Sequence, residues 1–245
     1  GVECSGNLSY LFHLKIDDKD IENVEFTSKL TRHNFKLLKY GETNLSKMNS
    51  EFTHYVYENG NLLRSFPVGP SHGYFTPFDQ VPQNLINSIL VNEDPSFFYH
   101  NGFIPEAIRE SIAENYRAKR FKRGGSTISM QLIKNVFLGR EKTILRKAEE
   151  ALLVWLIESN RITDKQRMFE VYLNIIEWAP GIYGIGEASA FYFNKNPAQL
   201  TLSECLLLAN LIPRPKAFRY FFEDANQLKE WVMDKSKFAA SRMLL

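Results

Sequence analysis

Gly124-Gly125-Ser126-Thr127-Ile128-Ser129-Met130-Gln131-Leu132-Ile133-Lys134-Asn135 is the stretch on which the reading of this chain turns. Two glycines free the backbone, and a helical pattern begins at Thr127 and runs to Phe137. Gln131, Lys134 and Asn135 are spaced three or four residues apart, so they share one face of that helix. Its N-terminus presents amide N–H groups that suit an anion. The motif lacks the lysine placement of a phosphate-binding P-loop, which argues against a nucleotide site.

The pattern remains helical on both sides. Val81–Val91 carries Leu85, Ile86, Ile89 and Leu90 on one stripe and delivers Glu93 at its end. Pro105–Lys119 reads as a helix with proline in its first turn. Thr143–Asn160 follows, with a core stripe of Ile144, Ala148, Ala151, Leu152 and Trp155. Thr163 with Gln166, and Thr201 with Glu204, form capping-box patterns before Met168–Trp178 and Leu206–Ile212. Gly181, Gly184 and Gly186 break the chain between them, and a last amphipathic helix runs from about Asn226. With no strand signals separating these helices, the main part of the chain is expected to be all-α.

The N-terminal part differs. Leu8–Ile16 partly alternates, and Phe52–Glu58 and Leu62–Phe66 flank Asn59-Gly60-Asn61, a β-hairpin signature. Pro67, Gly69, Pro70 and Gly73 then punctuate the chain. The expected fold class is therefore mainly α with a small N-terminal β or mixed accessory region. Residues 1–75 form that accessory region and residues 76–245 the main domain.

The 245 residues, 44% hydrophobic and 24% charged, describe an ordinary folded domain rather than a disordered one. A net charge of +2 does not imply nucleic acid. The distribution of charge is more telling: between Arg117 and Lys147 stand ten basic residues against one acid, Glu141, a field that draws phosphates or an anionic membrane. Cys4 and Cys205 make neither a disulfide framework nor a metal site, and Cys205 reads as a buried hydrophobe. No run approaches the roughly twenty apolar residues of a bilayer span. The abrupt ends are those expected of a portion of a longer protein, with any anchor outside it.

Three stretches carry chemistry. In Glu93-Asp94-Pro95-Ser96-Phe97-Phe98-Tyr99-His100-Asn101-Gly102, Glu93 sits between apolar residues; partial desolvation raises its pKa and makes it a better base. Alone, a Glu-Asp pair at a helix end is ordinarily just solvated. In the second stretch Lys134 is a candidate phosphate ligand, with Gln131 and Asn135 as donors. In the third, Lys142, Arg146 and Glu150 fall at i, i+4 and i+8 with Lys147 three residues before Glu150, so two cations flank that carboxylate. By itself this would be a surface ion-pair ladder. Phe103, Ile108, Ile112, Tyr116 and Phe121, mixed with basic residues, suit a membrane interface or an amphipathic core helix equally. Trp155 and Trp178 read as core.

Taken together, Glu-Asp-x-x-Phe-x-x-His-x-Gly at 93–102, Gly-Gly-Ser-Thr-Ile-Ser-x-Gln-Leu-x-Lys-Asn at 124–135 and Arg-Lys-x-x-Glu at 146–150 resemble the bacterial peptidoglycan glycosyltransferases, which comprise the polymerase domain of class A penicillin-binding proteins and the monofunctional transglycosylases. Tyr172-Leu173-Asn174, Gly181-x-Tyr183-Gly184 and Leu200-Thr201-Leu202-x-Glu204 extend the likeness over about residues 80–220. The resemblance implies a lysozyme-like all-α fold on the outer face of the cytoplasmic membrane, where lipid II is polymerised into β-1,4-linked glycan with inversion and release of undecaprenyl pyrophosphate. It implies that Glu93 is the general base and Glu150 the second catalytic glutamate, acting on the pyrophosphate directly or through a divalent metal, Mg2+ or Mn2+. Lys134 and Arg146 match pyrophosphate contacts, and Ser126, Gln131 and Asn135 match pocket-lining positions. Asp94, Thr127, Arg140, Lys142 and Lys147 complete the expected substrate-binding set. Lipid II, the growing strand, the membrane and a cell-wall synthesis complex are the partners so implied. A lysozyme-like hydrolase also uses two carboxylates, and an inactive envelope scaffold is the remaining alternative; the cation cluster speaks against the first and both glutamates against the second.

Overall fold

The computed structural model describes residues 2–17, 20–40, 43–120, 122, 124–138, 144–224 and 227–243. The chain opens as a long antiparallel ribbon, β1 (Val2–Asp17) paired with β2 (Asp20–Tyr40). A short 3-10 turn leads to a second hairpin, β3 (Phe52–Glu58) and β4 (Asn61–Val68). Its two-residue turn has Asn59 at φ 50° and Gly60 at φ 81°. These left-handed angles match the twist of the flanking strands, which is why Asn-Gly stands there.

Helices then dominate: α1 (Gln83–Glu93), α2 (Pro105–Ala118), α3 (Ile128–Phe137), α4 (Ile144–Ser159) and α5 (Lys165–Ile175). A small hairpin, β5 (Glu177–Ala179) with β6 (Ile182–Tyr183), precedes α6 (Ile185–Phe193) and α7 (Leu202–Leu211). Another, β7 (Phe222–Asp224) with β8 (Gln227–Leu228), precedes α8 (Glu230–Met243). The protein is mainly α, as expected.

The core is organised on α5 and α7, each buried nearly all round: Met168, Phe169, Val171, Tyr172 and Leu173 on one, Cys205, Leu208, Ala209 and Leu211 on the other, are all inaccessible. Burial pushes the Cys205 thiol up to about 12, so this group behaves as a hydrophobe. α1 packs on α7 and α8, and α3 on α4 and α5. Trp178 is fully buried, while Trp155 is partly buried against Phe35 of β2. Val56, Phe66 and Val68 of the β3–β4 hairpin enter the same core. Arg64 of β4 holds Glu187 of α6 at 2.9 and 3.0 Å. Polar contacts of α5 fix the segment before α1. Asn174 Oδ1 accepts from the Thr76 amide at 2.9 Å, its Nδ2 donates to the Thr76 carbonyl at 2.8 Å, and Glu170 accepts from the Phe78 amide.

Four expectations are corrected. The cap of α5 is Asp164, whose side chain accepts from the Arg167 amide at 2.7 Å; Asp164 stands one residue nearer the helix than Thr163, which is buried instead. The same helix ends at Ile175 rather than Trp178, because residues 177–183 turn back as a hairpin. Strands do separate the later helices, in two hairpins too short to leave an alternating pattern. Finally, Gly186 does not break the chain but lies in the first turn of α6, where a Cβ would meet the Tyr74 carbonyl oxygen at 2.1 Å. The Thr201–Glu204 capping box is present as read, with both reciprocal bonds.

Replacing Gly186 with alanine should therefore force backbone apart, whereas Gly60→Ala meets nothing within 4 Å and strains only its φ. Urea denaturation should show Gly60→Ala costing about 1 kcal/mol. Gly186→Ala is expected to cost more than about 3 kcal/mol; equal losses would contradict the packing described.

Candidate active site

The three stretches meet around residues 126–131, the approach to α3 and its first turn. At the end of α1, Asp94 is 1% exposed. Its Oδ2 accepts the backbone N–H of Ile128, the first residue of α3, at 3.0 Å. Its two oxygens also meet His100 Nε2 at 2.9 and 3.1 Å. The Gly102 amide donates to His100 Nδ1 at 2.8 Å, so the proton of this ring sits on Nε2, facing Asp94. The Gly102 carbonyl in turn accepts from Thr127 Oγ1 at 2.7 Å, and Thr127 caps α3 by accepting from the Met130 amide at 3.2 Å.

The anion at this helix N-terminus is thus the protein's own. Asp94 and Thr127 were expected among substrate-facing groups; both are buried, and the bonds they make fasten the loop 94–102 to α3. A negative charge there complements the helix dipole.

Glu93, by contrast, points along α3. Its Oε2 accepts from Gln131 Nε2 at 2.9 Å. The buried Tyr172 hydroxyl donates to Gln131 Oε1 at 3.1 Å, which fixes the orientation of the amide. Burial raises the Glu93 pKa and Asp94 adds to it, while the Gln131 bond and the charge of Lys235 pull the other way. Burial, then Glu93 and Asp94, drive the Tyr172 hydroxyl well above its ordinary value, so it stays a neutral donor. Lys235, on α8, is lowered by burial and raised by Glu93. Sequence reasoning missed it, since nothing local distinguishes it from other cations of an amphipathic helix. Tyr172 was visible only as part of a motif.

On the other flank, Glu150 of α4 is 1% exposed. Arg146 Nη1 donates to its Oε2 at 2.9 Å, and Lys147 Nζ bonds Oε1. Lys147 also donates to Ser126 Oγ at 3.2 Å, tying this cluster to the approach of α3. Gln131 thus holds Glu93 directly, whereas Ser126, just before the helix, is tied to Glu150 only through Lys147. Lys134 and Asn135, one turn on, line a small cavity with His54 and Tyr57 of β3, Glu177 and Tyr183. Arg140 and Lys142 lie outside the described residues.

Beneath α3 a further buried pair was not foreseen. Glu158 accepts from Ser129 Oγ and from Lys165 Nζ, each at 2.5 Å, and that ammonium lies 4.4 Å from the Phe97 ring centroid. Burial lowers the Lys165 pKa and Glu158 raises it.

The described residues alone do not make a divalent-metal site. Among the described residues no group of three or more His, Cys, Asp or Glu is placed to hold one, and both oxygens of Glu150 are already held by cations. The chemistry available is a half-buried, desolvated carboxylate and a separate group of fixed positive charge, both at the start of α3.

Residues 59–237 match the family described as Transglycosylase. The chain is 37% identical over 169 residues to a biosynthetic peptidoglycan transglycosylase of Paraburkholderia xenovorans, covering 69% of this chain and 68% of that protein. It is 36% identical over 166 residues to one of Paraburkholderia phytofirmans (68% and 66%) and 36% over 183 residues to one of Burkholderia cenocepacia (74% and 71%).

The raised Glu93 pKa carries a stability consequence. The folded chain binds this proton more tightly than the unfolded one, so ionisation of Glu93 subtracts stability as pH climbs past the ordinary glutamate range and through the folded value. Glu93→Gln should raise the thermal midpoint by about 2–4 °C at neutral pH, for ~1 kcal/mol, and give no gain near pH 3. Asp94→Asn, at a buried and bonded position, should instead cost about 2–4 kcal/mol in urea titration, against about 1 kcal/mol for Thr127→Ala.

Proposed function

The chain belongs to the transglycosylase family, and on that footing we propose that it is a peptidoglycan glycosyltransferase using lipid II at the outer face of the cytoplasmic membrane. In this reading Glu93 is the general base. Its carboxylate removes the proton from the acceptor 4-hydroxyl as that oxygen attacks the donor anomeric carbon from the face opposite the leaving group. The C1–O bond breaks, its electron pair leaves with undecaprenyl pyrophosphate, and the α-linked donor becomes a β-1,4-linked unit. The proton taken by Glu93 passes to solvent before the next cycle.

The observation that carries the reading is the pairing of two environments at the start of α3, Glu93 of α1 bonded to Gln131 and the Arg146–Lys147–Glu150 cluster of α4 tied to Ser126 through Lys147. Glu93, desolvated and bonded to Gln131, has the raised affinity for protons that a base at neutral pH needs. Arg146 and Lys147 are fixed in the other, where charge on a departing diphosphate requires stabilisation. Lys134 and Asn135 extend this polar face, and Arg140 and Lys142 belong to the same proposed set. We assign Glu150 to holding the two cations in place, since both its oxygens are engaged by them. A hydrolase, releasing a neutral sugar hydroxyl, has no use for such a cluster.

Labelled lipid II incubated with the protein in detergent should yield glycan polymer. Glu93→Gln should reduce the rate at least about a hundredfold without unfolding the chain, and Glu150→Gln should also impair it by releasing the cations. Shortening of finished strands by the parent chain would favour a lysozyme-like hydrolase, and binding without turnover a scaffold. The pH profile gives a second check. Because the Gln131 bond lowers the Glu93 pKa, Gln131→Ala should move the acid limb of kcat/KM to higher pH; an unmoved limb would argue against Glu93 as the titrating base.

A further inference from the structure

Residues 2–40 lie outside the family match, and their ribbon has an unusual surface. Leu8, Tyr10, Phe12 and Leu14 occupy alternate positions of β1 and therefore one face. They are exposed, Tyr10 at 61% and Phe12 at 55%. Across the ladder, Tyr10 faces Leu30 and Leu14 faces Phe26, which widens the stripe, and Phe12 meets Phe26 edge-on at 5.9 Å. The opposite face carries Asn7, Ser9, His13 and Lys15 opposite His33, Thr31, Thr27 and Glu25, interrupted by Leu11. A two-stranded ribbon has no second layer with which to cover such a stripe.

The ribbon is moored through β2. Arg32 lies 4.7 Å from the Trp155 ring centroid of α4, Phe35 packs on the same ring, and β2 runs along α2. β1 is the outer strand. Charge is divided along the sequence of the ribbon: residues 17–25 carry Asp17, Asp18, Asp20, Glu22 and Glu25 against Lys19, whereas residues 27–40 contain Lys29, Arg32, Lys36 and Lys39 and no acid, which suits that part to a negative surface. The α2 helix beside them ends in Arg117, with Lys119, Arg120 and Lys122 following. The Glu25 carboxylate is held by Lys15 at 2.7 Å. Leu8 stands opposite Arg32 and Leu11 opposite Lys29, so long cationic side chains border the stripe, and aromatic and leucine side chains bordered in this way make an interfacial element, here built as a sheet instead of a helix.

We propose that the β1–β2 ribbon is a docking element for an anionic lipid bilayer, laying Leu8, Tyr10, Phe12 and Leu14 into the headgroup boundary while Lys29, Arg32, Lys36 and the basic end of α2 meet the negative surface. For its purpose the proposal rests on the membrane-face reading above; its evidence and its test do not need turnover.

The whole chain is sedimented with sucrose-loaded vesicles of phosphatidylcholine, with or without phosphatidylglycerol. The parent should pellet with the anionic vesicles and be released by salt. Tyr10→Ser with Phe12→Ser, and separately Lys29→Glu with Lys36→Glu, should each lower partitioning at least about tenfold, leaving the circular dichroism spectrum and turnover of detergent-dispersed lipid II unchanged. Pelleting of both double variants like the parent would overturn the proposal. So would equal binding to pure phosphatidylcholine, or light scattering showing that the stripe variant turns a dimer into a monomer, which would make the stripe a seam between copies. Loss of detergent turnover in the variants would also overturn it, by placing the ribbon in the catalytic body. A parent chain that binds vesicles yet never polymerises lipid II would sink the catalytic reading and leave this one standing.

Discussion

One buried carboxylate governs where the others stand. Asp94 takes the first amide of α3 and the Nε2–H of His100, so the loop from 94 to 102 and the start of α3 are locked together by a buried carboxylate. A bond to an ionised acceptor inside the protein is stronger than a neutral one, and leaving it unmade is correspondingly expensive. With that fastening in place, the residue before Asp94 has little choice of direction, and Glu93 is presented to Gln131. The site is positioned from its neighbour outward.

Around α3 the protein has gathered three buried or half-buried acids, each with a different companion. Asp94 has an imidazole N–H and an amide, Glu158 an ammonium and a hydroxyl, Glu150 a guanidinium and an ammonium. Glu93 is bonded to the neutral side-chain amide of Gln131, with Lys235 acting on it through its field, whereas Glu150 and Glu158 are bonded to cations. Burial is what shifts Glu93 towards holding protons, and no bonded cation offsets it there. Buried pairs of this kind add little net stability, but breaking one is severe, which favours a single arrangement.

Much of this was legible in the sequence, for reasons that can be named. Long helices with an apolar stripe, such as α1 and α4, announce themselves by period. The Asn59-Gly60 turn and the Thr201–Glu204 box do so by local chemistry, because each depends on a few adjacent residues. The hairpin at 177–183 and the helix after Gly184 were not legible. Two and three residues are too few for alternation, and the need for glycine at 186 arises from Tyr74, more than a hundred positions away. In the site, Glu93 and Gln131 could be placed on their elements from spacing, but the burial of Asp94 and Thr127 could not. A carboxylate next to a base looks like a ligand until its hydrogen bonds are counted. Lys235 and Lys165 reach the site only through tertiary packing, which no window of neighbouring residues reveals.

The fixed orientation of Gln131 has a consequence for turnover. Tyr172, a donor held neutral, occupies the amide oxygen, so Gln131 can offer Glu93 only N–H. Such a partner welcomes the anion and has nothing to accept a hydrogen from the acid. In the proposed reaction, the glutamate that has just captured a proton finds itself beside a group that repays it for giving the proton up. The amide therefore acts as a spring that returns the base to its starting form, and the tyrosine behind it, which never meets the sugar, sets the direction in which that spring pushes.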